Sequence, residues 1–570
     1  MKQILCTIIG ILTAVIFLLP VQSFAQTVGD SLILYANPLG ETIDQQIAAD
    51  TVGGRDPNRV YVLQQNGAID TVYFVNSIIV SKFNLTIIGK PNPVTGMLPV
   101  IAPGFGINGS SPARLFTVQG GNLTLQYLYL TDMNINGAAT TTSNGAIYIT
   151  GDSVTLRMDH CVMDGGSIAN FTYLNAPIGD NMFISNCELR DVQYASPGRG
   201  GFTYLGKGTN TYDTISVTNT TAFLINGGWL AGAGMPKYVK MDHCTLFFTD
   251  GPPVGMGQQL INADIKNNIF YGINYQGADT SNYLRQIYEG SYAGNQMFGL
   301  DSLNSTVKGY GYTEADRRIT IENNAYFWPA NQLAYFVGLK SDTGSTITPP
   351  VWMSKAVTKM FSDKTTWPNL LAQNNMNSDP GFNPEYVNQV VDTLSLYVKD
   401  YWNNGGSSTH LWGLYMDDPT DIFNIPGANV SIDWASKQGY PVPENLKYSN
   451  TALYSAGTDG LPLGDLNWFV NYTGVKQIPN TIPSKFELSQ NYPNPFNPTT
   501  NIKYSIPHSG FVSIKVYNIL GQEVATLYQG FQKAGVYNLD FDASMLSSGV
   551  YLYRLQTNGF TETRKMMLLK

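Results

Sequence analysis

Charged residues are scarce in this chain. They make up 13% of its 570 residues, against about 25% in a typical soluble domain. Lys and Arg number 33 and Asp and Glu 41, so the formal net charge is −8. Because there is no basic excess to hold a phosphate backbone, the composition argues against a nucleic-acid partner.

Long apolar runs are also rare, and the first one is at the N-terminus. The run over 4–19 follows a short basic start and precedes a small-x-small site that ends at Ala25. This order predicts a signal peptide over 1–25, cleaved before Gln26. The alternative is an uncleaved membrane anchor, but the run is short for a membrane span. No later segment reaches about 20 apolar residues, so we expect no transmembrane helix in the mature chain.

Cysteines are too few for a disulfide-rich scaffold. The mature chain keeps Cys161, Cys187 and Cys244, and all three stand in similar short phrases. We expect them to be buried small hydrophobic residues rather than nucleophiles or zinc ligands. Cys161 and Cys187 fall one phrase apart, and the sequence leaves open whether they are bridged.

What the chain does contain is a repeated phrase, in which an apolar position is followed by Asn or His and then by another apolar position. It recurs at spacings of 24 to 33 residues, with one gap of 56 that fits two repeats. Such a period indicates a solenoid. Asn accepts the left-handed backbone that a tight corner needs, and we interpret the two histidines at this position as structural. The phrase predicts a parallel β-helix with a corner ladder at His160, Asn186, Asn219, His243, Asn267 and Asn323.

Short strands rich in β-branched residues extend this pattern toward the N-terminus, for example over 85–89 and 123–130. With these strands and the phrase MDHC at 241–244, the segment from 56 to 330 resembles the right-handed β-helices of the pectate-lyase superfamily. The resemblance implies an all-β fold, and we place a right-handed parallel β-helix at 26–335. It does not fix an activity, because that superfamily includes lyases, hydrolases, adhesins and phage spikes.

A lyase of this superfamily needs a basic residue near Ca²⁺-binding carboxylates. Arg199 and Lys207 are the weak catalytic candidates, but the family's motif of Arg, Pro and Arg is absent. Asp159 and Asp242 precede corners three coils apart, about 14 Å at the usual strand spacing, and a glycosidase pair needs roughly 5 to 9.5 Å. We therefore lean away from catalysis and expect no cofactor, with Ca²⁺ only if the protein is a lyase.

Tryptophan is concentrated late in the chain, with seven of eight between Trp328 and Trp468. We predict that 336–472 is an irregular, aromatic-rich segment that caps the open end of the solenoid, as every solenoid requires. The alternative is a glycan-binding surface, because aromatic faces stack on sugar rings. A linker over 473–485 follows.

The last part of the chain alternates apolar and polar residues between Gly-containing turns, which predicts a small antiparallel β-sandwich. The phrases YPNPFNPTT, VYNILGQEV and LSSGVYLYRL occur in this order within 486–570. In this respect 486–570 resembles the type A C-terminal sorting domain of the type IX secretion system. The resemblance implies export across the outer membrane, with the type IX machinery as a partner.

These features together predict an extracellular or outer cell-surface protein, exported by the Sec route and then by type IX secretion. Its leading function is non-catalytic, either glycan binding or a structural role in the cell's outer layer. The alternative is a polysaccharide lyase or glycoside hydrolase that acts on an extracellular polysaccharide. Candidate partners are extracellular polysaccharide and surface lipopolysaccharide, and the sequence leaves the ligand, the oligomeric state and the anchoring open.

Overall fold

A computed structural model shows a long run of parallel β-strands followed by antiparallel sheets. The predicted signal peptide over 1–25 lies outside the described residues. The structure describes residues 26–28, 31–36, 41–51, 59–64, 72–81, 83–92, 98–104, 112, 114–131, 145–164, 170–175, 178–190, 201–206, 209–225, 228–232, 234–251, 259–279, 296–403, 446–469, 475–478, 483, 485–507, 510–519, 521, 523–532, 535–543, 546–557 and 560–569.

Three sheets, which we call A, B and C, form the walls of a β-helix. Sheet A, parallel except for its first pair, consists of Gln26–Val28, Ser31–Leu34, Val60–Gln64, Leu85–Lys90, Leu123–Gln126, Thr155–Asp159, Ile178–Ser185, Thr211–Thr218, Met235–Asp242, Asn262–Lys266, Arg318–Glu322 and Leu370–Gln373. Sheet B consists of Val72–Val75, Val100–Pro103, Tyr129–Thr131, Val162–Asp164, Glu188–Arg190, Thr221–Phe223, Thr245–Phe247, Ile269–Tyr271, Ala325–Phe327 and Met376–Asn377. Sheet C consists of Ile78–Val80, Phe116–Val118, Ile147–Ile149, Asn170–Leu174, Gly201–Leu205 and Gly228–Gly232. The all-β class and the β-helix predicted from the sequence are confirmed.

Each full coil runs through a strand of sheet C, then of sheet A, then of sheet B. Alternation places every second side chain inside. In Thr155–Asp159, for example, Leu156 and Met158 are buried and Arg157 is exposed. The next coil pairs Leu156 with Met182 in register, so apolar residues stack on apolar residues along the interior. This stacking forms one continuous hydrophobic core through the coils.

Short helices close the two ends of this core. Helix α1 (Ile43–Thr51) buries Ile43 and Ile47 against the first coils. Helices α2 (Ser305–Gly309) and α3 (Ala330–Tyr335) follow within later loops. Helix α4 (Lys355–Ser362) places Val357 and Met360 on the core at the other end.

The parallel ladder continues beyond the boundary predicted at 335. Leu370–Gln373 pairs with Arg318–Glu322 in sheet A, and Met376–Asn377 pairs with Ala325–Phe327 in sheet B. The physical reason is a further corner at Asn374, whose φ of 53° turns the chain from one sheet to the other. The β-helix therefore has one coil more than the sequence analysis assigned to it.

The segment after this coil covers the side of the solenoid as well as its end. Helix α5 (Pro384–Asn403) lies on sheet B and buries Tyr386, Val390 and Leu394 there. Residues 446–469, which we call the strap, then cross the corners between sheets A and B. The strap contains two short 3-10 helices, Thr451–Leu453 and Leu466–Trp468. Other small elements of this part of the chain are the 3-10 helix Glu314–Asp316 and the strand pairs Ala278–Asp279 with Ile347–Thr348 and Gln296–Phe298 with Val351–Met353.

The antiparallel unit consists of two four-stranded sheets, D and E, around its own core. Sheet D contains Val475–Ile478, Gly535–Asp542, Thr499–Ile506 and Glu487–Leu488, and sheet E contains Glu523–Gln532, Gly510–Tyr517, Gly549–Thr557 and Phe560–Leu568. Val475–Ile478 lies in the segment predicted as a linker, yet it pairs with Gly535–Asp542. The strand Glu523–Gln532 was not predicted either.

Candidate functional site

The six predicted corner residues occupy equivalent places in the coils. Each ends a strand of sheet A with a left-handed backbone, and their φ values lie between 48° and 60°. Tyr127 and Asn374 hold the same conformation on further coils, which the sequence analysis did not identify. The six residues are His160, Asn186, Asn219, His243, Asn267 and Asn323.

The buried amide ladder lies one residue after the corners. Asn268 and Asn324 are fully buried, and Asn268 Nδ2 donates to Asn324 Oδ1 over 2.8 Å. Asn324 Nδ2 donates in the same way to Asn375 Oδ1 over 2.8 Å. The inward side chain is therefore that of Asn268, whereas the corner side chain of Asn267 contacts Thr458 of the strap. In the earlier coils the inward place belongs to Cys161, Cys187, Thr220 and Cys244.

The three cysteines are buried and free, and none is part of a reactive site among the described residues. Cys187 Sγ accepts a hydrogen bond from the Cys161 backbone N–H at 3.4 Å. Burial raises the pKa of the Cys187 and Cys244 thiols well above their usual range. Their environment therefore keeps the thiols protonated and unreactive.

The corner side chains from Asn219 to Asn323 are held by the strap. Asn267 Oδ1 accepts the Thr458 backbone N–H at 2.7 Å, and Asn267 Nδ2 donates to Thr458 Oγ1 at 3.1 Å. Asn219 Oδ1 accepts the Leu466 backbone N–H at 2.6 Å, and Asn323 Nδ2 donates to the Ala456 carbonyl at 2.7 Å. Corner amides thus bind the backbone of an extended segment.

The two corner histidines have different partners and are not brought together. His243 Nε2 lies 2.9 Å from Asp459 Oδ2 in the strap. His160 Nδ1 lies 3.0 Å from Asp159 Oδ2, and the His160 ring stacks on Tyr127. Strand register puts two coils, those of Asn186 and Asn219, between the two rings, and each histidine has its own partner.

The His243–Asp459 contact shifts both pKa values. Burial lowers the pKa of His243, but the hydrogen bond to Asp459 and the charges of Asp459 and Asp242 outweigh it and raise that pKa. Burial raises the pKa of Asp459, but the hydrogen bond with His243 outweighs it and lowers that pKa. Both shifts favour the ion pair, so the geometry describes a structural contact.

The catalytic candidates Arg199 and Lys207 lie outside the described residues. By chain position they flank the strand Gly201–Leu205 of sheet C. No group of three or more His, Cys, Asp and Glu side chains that could hold a metal ion occurs in the described part of the chain.

Tryptophan is structural wherever the structure describes it. Trp328 and Trp402 donate their indole N–H groups to the backbone carbonyls of Ile273 and Gln276. Trp468 donates to Thr221 Oγ1 at 2.8 Å. These contacts attach the late segment to the solenoid, and they leave the rings packed rather than presented to a ligand.

The outer side of sheet A remains exposed over several coils. We call the outward side chains between Thr155–Asp159 and Arg318–Glu322 the open face. The face mixes hydroxyl, amide and charged side chains, and two half-buried rings, Phe183 and Tyr238, lie among them. The Arg157 guanidinium lies 4.3 Å from the centre of the Phe183 ring. Such a flat strip of hydrogen-bonding groups and rings can contact an extended polar chain.

Charges on the open face balance and are largely paired. Lys237 Nζ is 2.7 Å from Asp213 Oδ1, and Lys266 Nζ is 3.3 Å from Asp264 Oδ1. The charged members of the face are five cations and five anions, Arg157, Lys237, Lys240, Lys266, Arg318, Asp159, Asp213, Asp242, Asp264 and Glu322. The face therefore has no net charge with which to attract a polyanion.

Carboxyl groups with a raised pKa are buried away from this surface. Burial raises the pKa of Asp180 and of Asp465 to about 7. Asp180 is fully buried and accepts the Val154 backbone N–H, and Asp465, a buried residue of the strap, accepts the Thr221 hydroxyl. A general acid must reach its substrate, and neither carboxyl is exposed to do so.

The two parts of the molecule define a secreted solenoid that carries a separate export unit. Residues 490–569 match the family described as secretion system C-terminal sorting domain, which confirms that prediction. The protein is therefore exported by type IX secretion to the cell surface or the extracellular space, and the sorting domain implies contact with that machinery. No curated protein and no solved structure matches the chain. Among the described residues no helix is long and apolar enough to cross a membrane.

Proposed function

We propose that this exported protein binds a neutral extracellular glycan, without cleaving it, through the open face. The observation that carries the proposal is the contrast between the outward sides of sheets A and B. The strands of sheet B from Thr221–Phe223 onward are covered by α5 and the strap, whereas sheet A exposes polar side chains around two rings.

The composition of the face selects the class of glycan. Its cations and anions are equal in number, so an acidic polysaccharide gains no long-range attraction. Thr214 and Ser216 on one coil, and Asn262 in register with Thr214 two coils later, offer neutral donors and acceptors. Sugar hydroxyls pair with such groups, and the apolar side of a sugar ring packs on an aromatic ring. Phe183 is one such ring, since it is outward-facing, in register with Arg157 on one neighbouring coil and with Ser216 on the other.

The lyase or hydrolase predicted as the alternative has less support. A lyase substrate is a uronate, which a neutral face does not attract. Hydrolysis needs a carboxyl group that stays protonated at the working pH. Asp180 and Asp465, whose pKa burial raises to about 7, are buried, and Asp301, whose pKa burial raises to about 6, is half-buried and is not one of the outward residues of sheet A. Asp213, Asp264 and Glu322 on the open face are instead within 4 Å of a lysine.

A binding screen with the purified chain tests the proposal. Neutral and acidic polysaccharides are titrated by calorimetry, and both unsaturated-product absorbance and reducing ends are followed. We expect a neutral glycan to bind without product formation. Phe183→Ala should weaken binding about tenfold, the loss typical of an energetically important contact residue.

A matched aromatic variant on another sheet provides the control. Tyr173 is half-buried and outward-facing on sheet C, where it stacks on Tyr148. Tyr173→Ala should leave the affinity unchanged. Product formation from any polysaccharide, or a loss of binding in Tyr173→Ala but not in Phe183→Ala, would contradict the proposal.

A further inference from the structure

The sorting domain exposes large apolar side chains at one end. Among its described residues, the exposed ones are Tyr492 at 82%, Ile519 at 74%, Leu569 at 52% and Met567 at 37%. The other large apolar side chains of the two sheets for which the structure describes the burial are buried or half-buried. An exposed apolar group of this kind on a soluble domain marks a surface of interaction.

Strand register shows that three of these residues, Ile519, Met567 and Leu569, share one end of sheet E, whereas Tyr492 pairs with Asn501 of sheet D. Tyr517 pairs with Leu552, and Leu552 pairs with Lys565. Val550 pairs with Met567, and Ile519 follows the strand that ends at Tyr517. Alternation puts all of these side chains on the outward side, since Val516, Tyr553 and Met566 are buried. We define the end patch as Tyr517, Ile519, Val550, Leu552, Met567 and Leu569.

Cationic side chains border the end patch. Lys565 precedes Met567 on the same outward side of its strand and is exposed. The Arg554 guanidinium lies 4.9 Å from the centre of the Tyr517 ring. Lys515 pairs with Arg554 in the ladder. The backbone of Glu523 pairs with Tyr517 at the edge of the patch. A complementary partner surface is therefore apolar with an acidic rim.

The adjacent strand edge is already occupied. Phe496 donates its backbone N–H to the Met567 carbonyl at 3.0 Å, and Leu569 donates its own to the Phe496 carbonyl at 2.9 Å. Asn494 Oδ1 accepts the Met567 backbone N–H at 2.9 Å. Because these groups are paired, a partner cannot dock here by adding a strand. It must contact the side chains of the end patch.

We propose that the end patch is the surface by which the sorting domain docks on a protein of the type IX secretion machinery that presents an apolar surface with an acidic rim. The sorting-domain match begins at residue 490 and includes no coil of the solenoid. Recognition common to that family must therefore reside on the antiparallel unit, and the end patch contains three of the four exposed large apolar residues among its described residues, Ile519, Met567 and Leu569. A protein is favoured over a lipid surface because the patch covers only one end of three strands.

An export assay with the full chain tests this assignment in a bacterium that has type IX secretion. Met567→Glu places a negative charge opposite the acidic rim, so the amount of protein outside the cell should fall about tenfold, with accumulation in the periplasm. Met567→Leu keeps an apolar group and should be exported normally. Thr561→Glu is the matched control, because Thr561 is exposed on the same strand and side at the far end.

Thermal unfolding of each purified chain separates docking from folding. Met567 is partly exposed, so its variants should melt at the wild-type temperature. If Met567→Glu unfolds at a lower temperature than the wild-type chain, the export of Leu569→Ser is the test instead. Leu569 follows the last residue that pairs with the neighbouring strand, so this substitution should not affect folding. Normal export of the deciding variant, or an equal loss in Thr561→Glu, would overturn the proposal. Binding of the wild-type chain to anionic phospholipid vesicles that is lost in Met567→Glu while export continues would assign the patch to lipid instead.

Discussion

Sheets A and B are built from the same coils, yet the outer side of sheet A is exposed, whereas the outer side of the later strands of sheet B is covered by the rest of the chain. On sheet B the outward column Phe223, Phe247 and Tyr271 stacks ring on ring, with centroids 5.5 Å and 5.3 Å apart. Tyr386 of α5 adds a further ring at 5.4 Å from Phe247. We call this covered side the sealed face. The corresponding outward positions on sheet A carry hydroxyl, amide and charged groups.

This difference shows that the backbone of a β-helix does not determine what the outer side of each sheet binds. Strand pairing satisfies the backbone on both sheets in the same way. The outward residue at every second position then decides whether a side binds the rest of the chain or the surroundings. Three sets of substitutions test how much the covered and the exposed parts of these coils contribute to stability.

The largest effect is expected for a ring on the sealed face compared with a ring on the open face. Phe247→Ala removes a fully buried side chain from the cluster of Tyr271, Tyr386 and Phe382, so the free energy of unfolding should fall by about 3–5 kcal/mol. Phe183→Ala should cost about 1 kcal/mol or less, as a partly exposed site does. Urea unfolding of both variants measures the difference, and equal losses would mean that both sides contribute alike to the fold.

An intermediate effect on stability is expected for a corner residue that contacts the strap, Asn267, compared with one that does not, Asn186. Asn267→Gly keeps the left-handed backbone but removes three side-chain hydrogen bonds, to Asp242 and to Thr458, and leaves the Thr458 N–H unpaired. The free energy of unfolding should fall by about 2 kcal/mol. Asn186→Gly makes the same change at a less buried corner and removes the hydrogen bonds to Asp159 and Asn219. Because these bonds lie at the surface, the free energy of unfolding should fall by only about 1 kcal/mol.

Limited proteolysis gives a second measurement of this pair. The strap should become sensitive in Asn267→Gly and stay protected in Asn186→Gly, because only Asn267 contacts it. Equal protection in both variants would show that the corner amides do not hold the strap in place.

The smallest effect is expected for the charge on the strap. The raised pKa of His243 means that its contribution is fully present below pH 6.5 and is lost as the pH rises through that raised value. The lowered pKa of Asp459 means that its contribution is present above pH 3.8 and is lost as the pH falls through that lowered value. Asp459→Asn should therefore reduce stability most between these limits, by about 0.5–1 kcal/mol for a partly exposed pair. Unfolding at pH 5.5 and pH 9 tests this, and a pH-independent difference would show that the hydrogen bond alone matters.

Much of the fold could be predicted because it follows from local rules. Each coil repeats an apolar alternation and an Asn or His at the turn, and both signals are contained in fewer than ten residues. The final coil was missed although Gln373, Asn374, Asn375 and Met376 repeat the same phrase. Its spacing from Asn323 is enlarged by an insertion that includes α4, and this concealed the period.

The covering of sheet B could not be predicted, since its contacts join residues far apart in the chain. His243 and Asp459 are separated by 216 residues. The strap is bound largely through its backbone, as at Ala456 and Leu466, and backbone groups leave no signature in the sequence. Gly464 gives the one local hint, because its φ is +77° and a Cβ there would lie 2.5 Å from Thr245 Oγ1. The candidate binding surface was missed for a similar reason, as it is defined by what remains uncovered.

The path of the strap alters how the solenoid can come apart. In a simple solenoid each coil contacts only its neighbours, so terminal coils can fray one at a time. The strap contacts Asn323, Asn267, His243 and then Asn219, which lie on four successive coils. Opening any one of these coils must also detach a segment that holds the other three. These four coils should therefore unfold together as one cooperative unit. The coils that precede them in the chain should still be able to unfold one at a time.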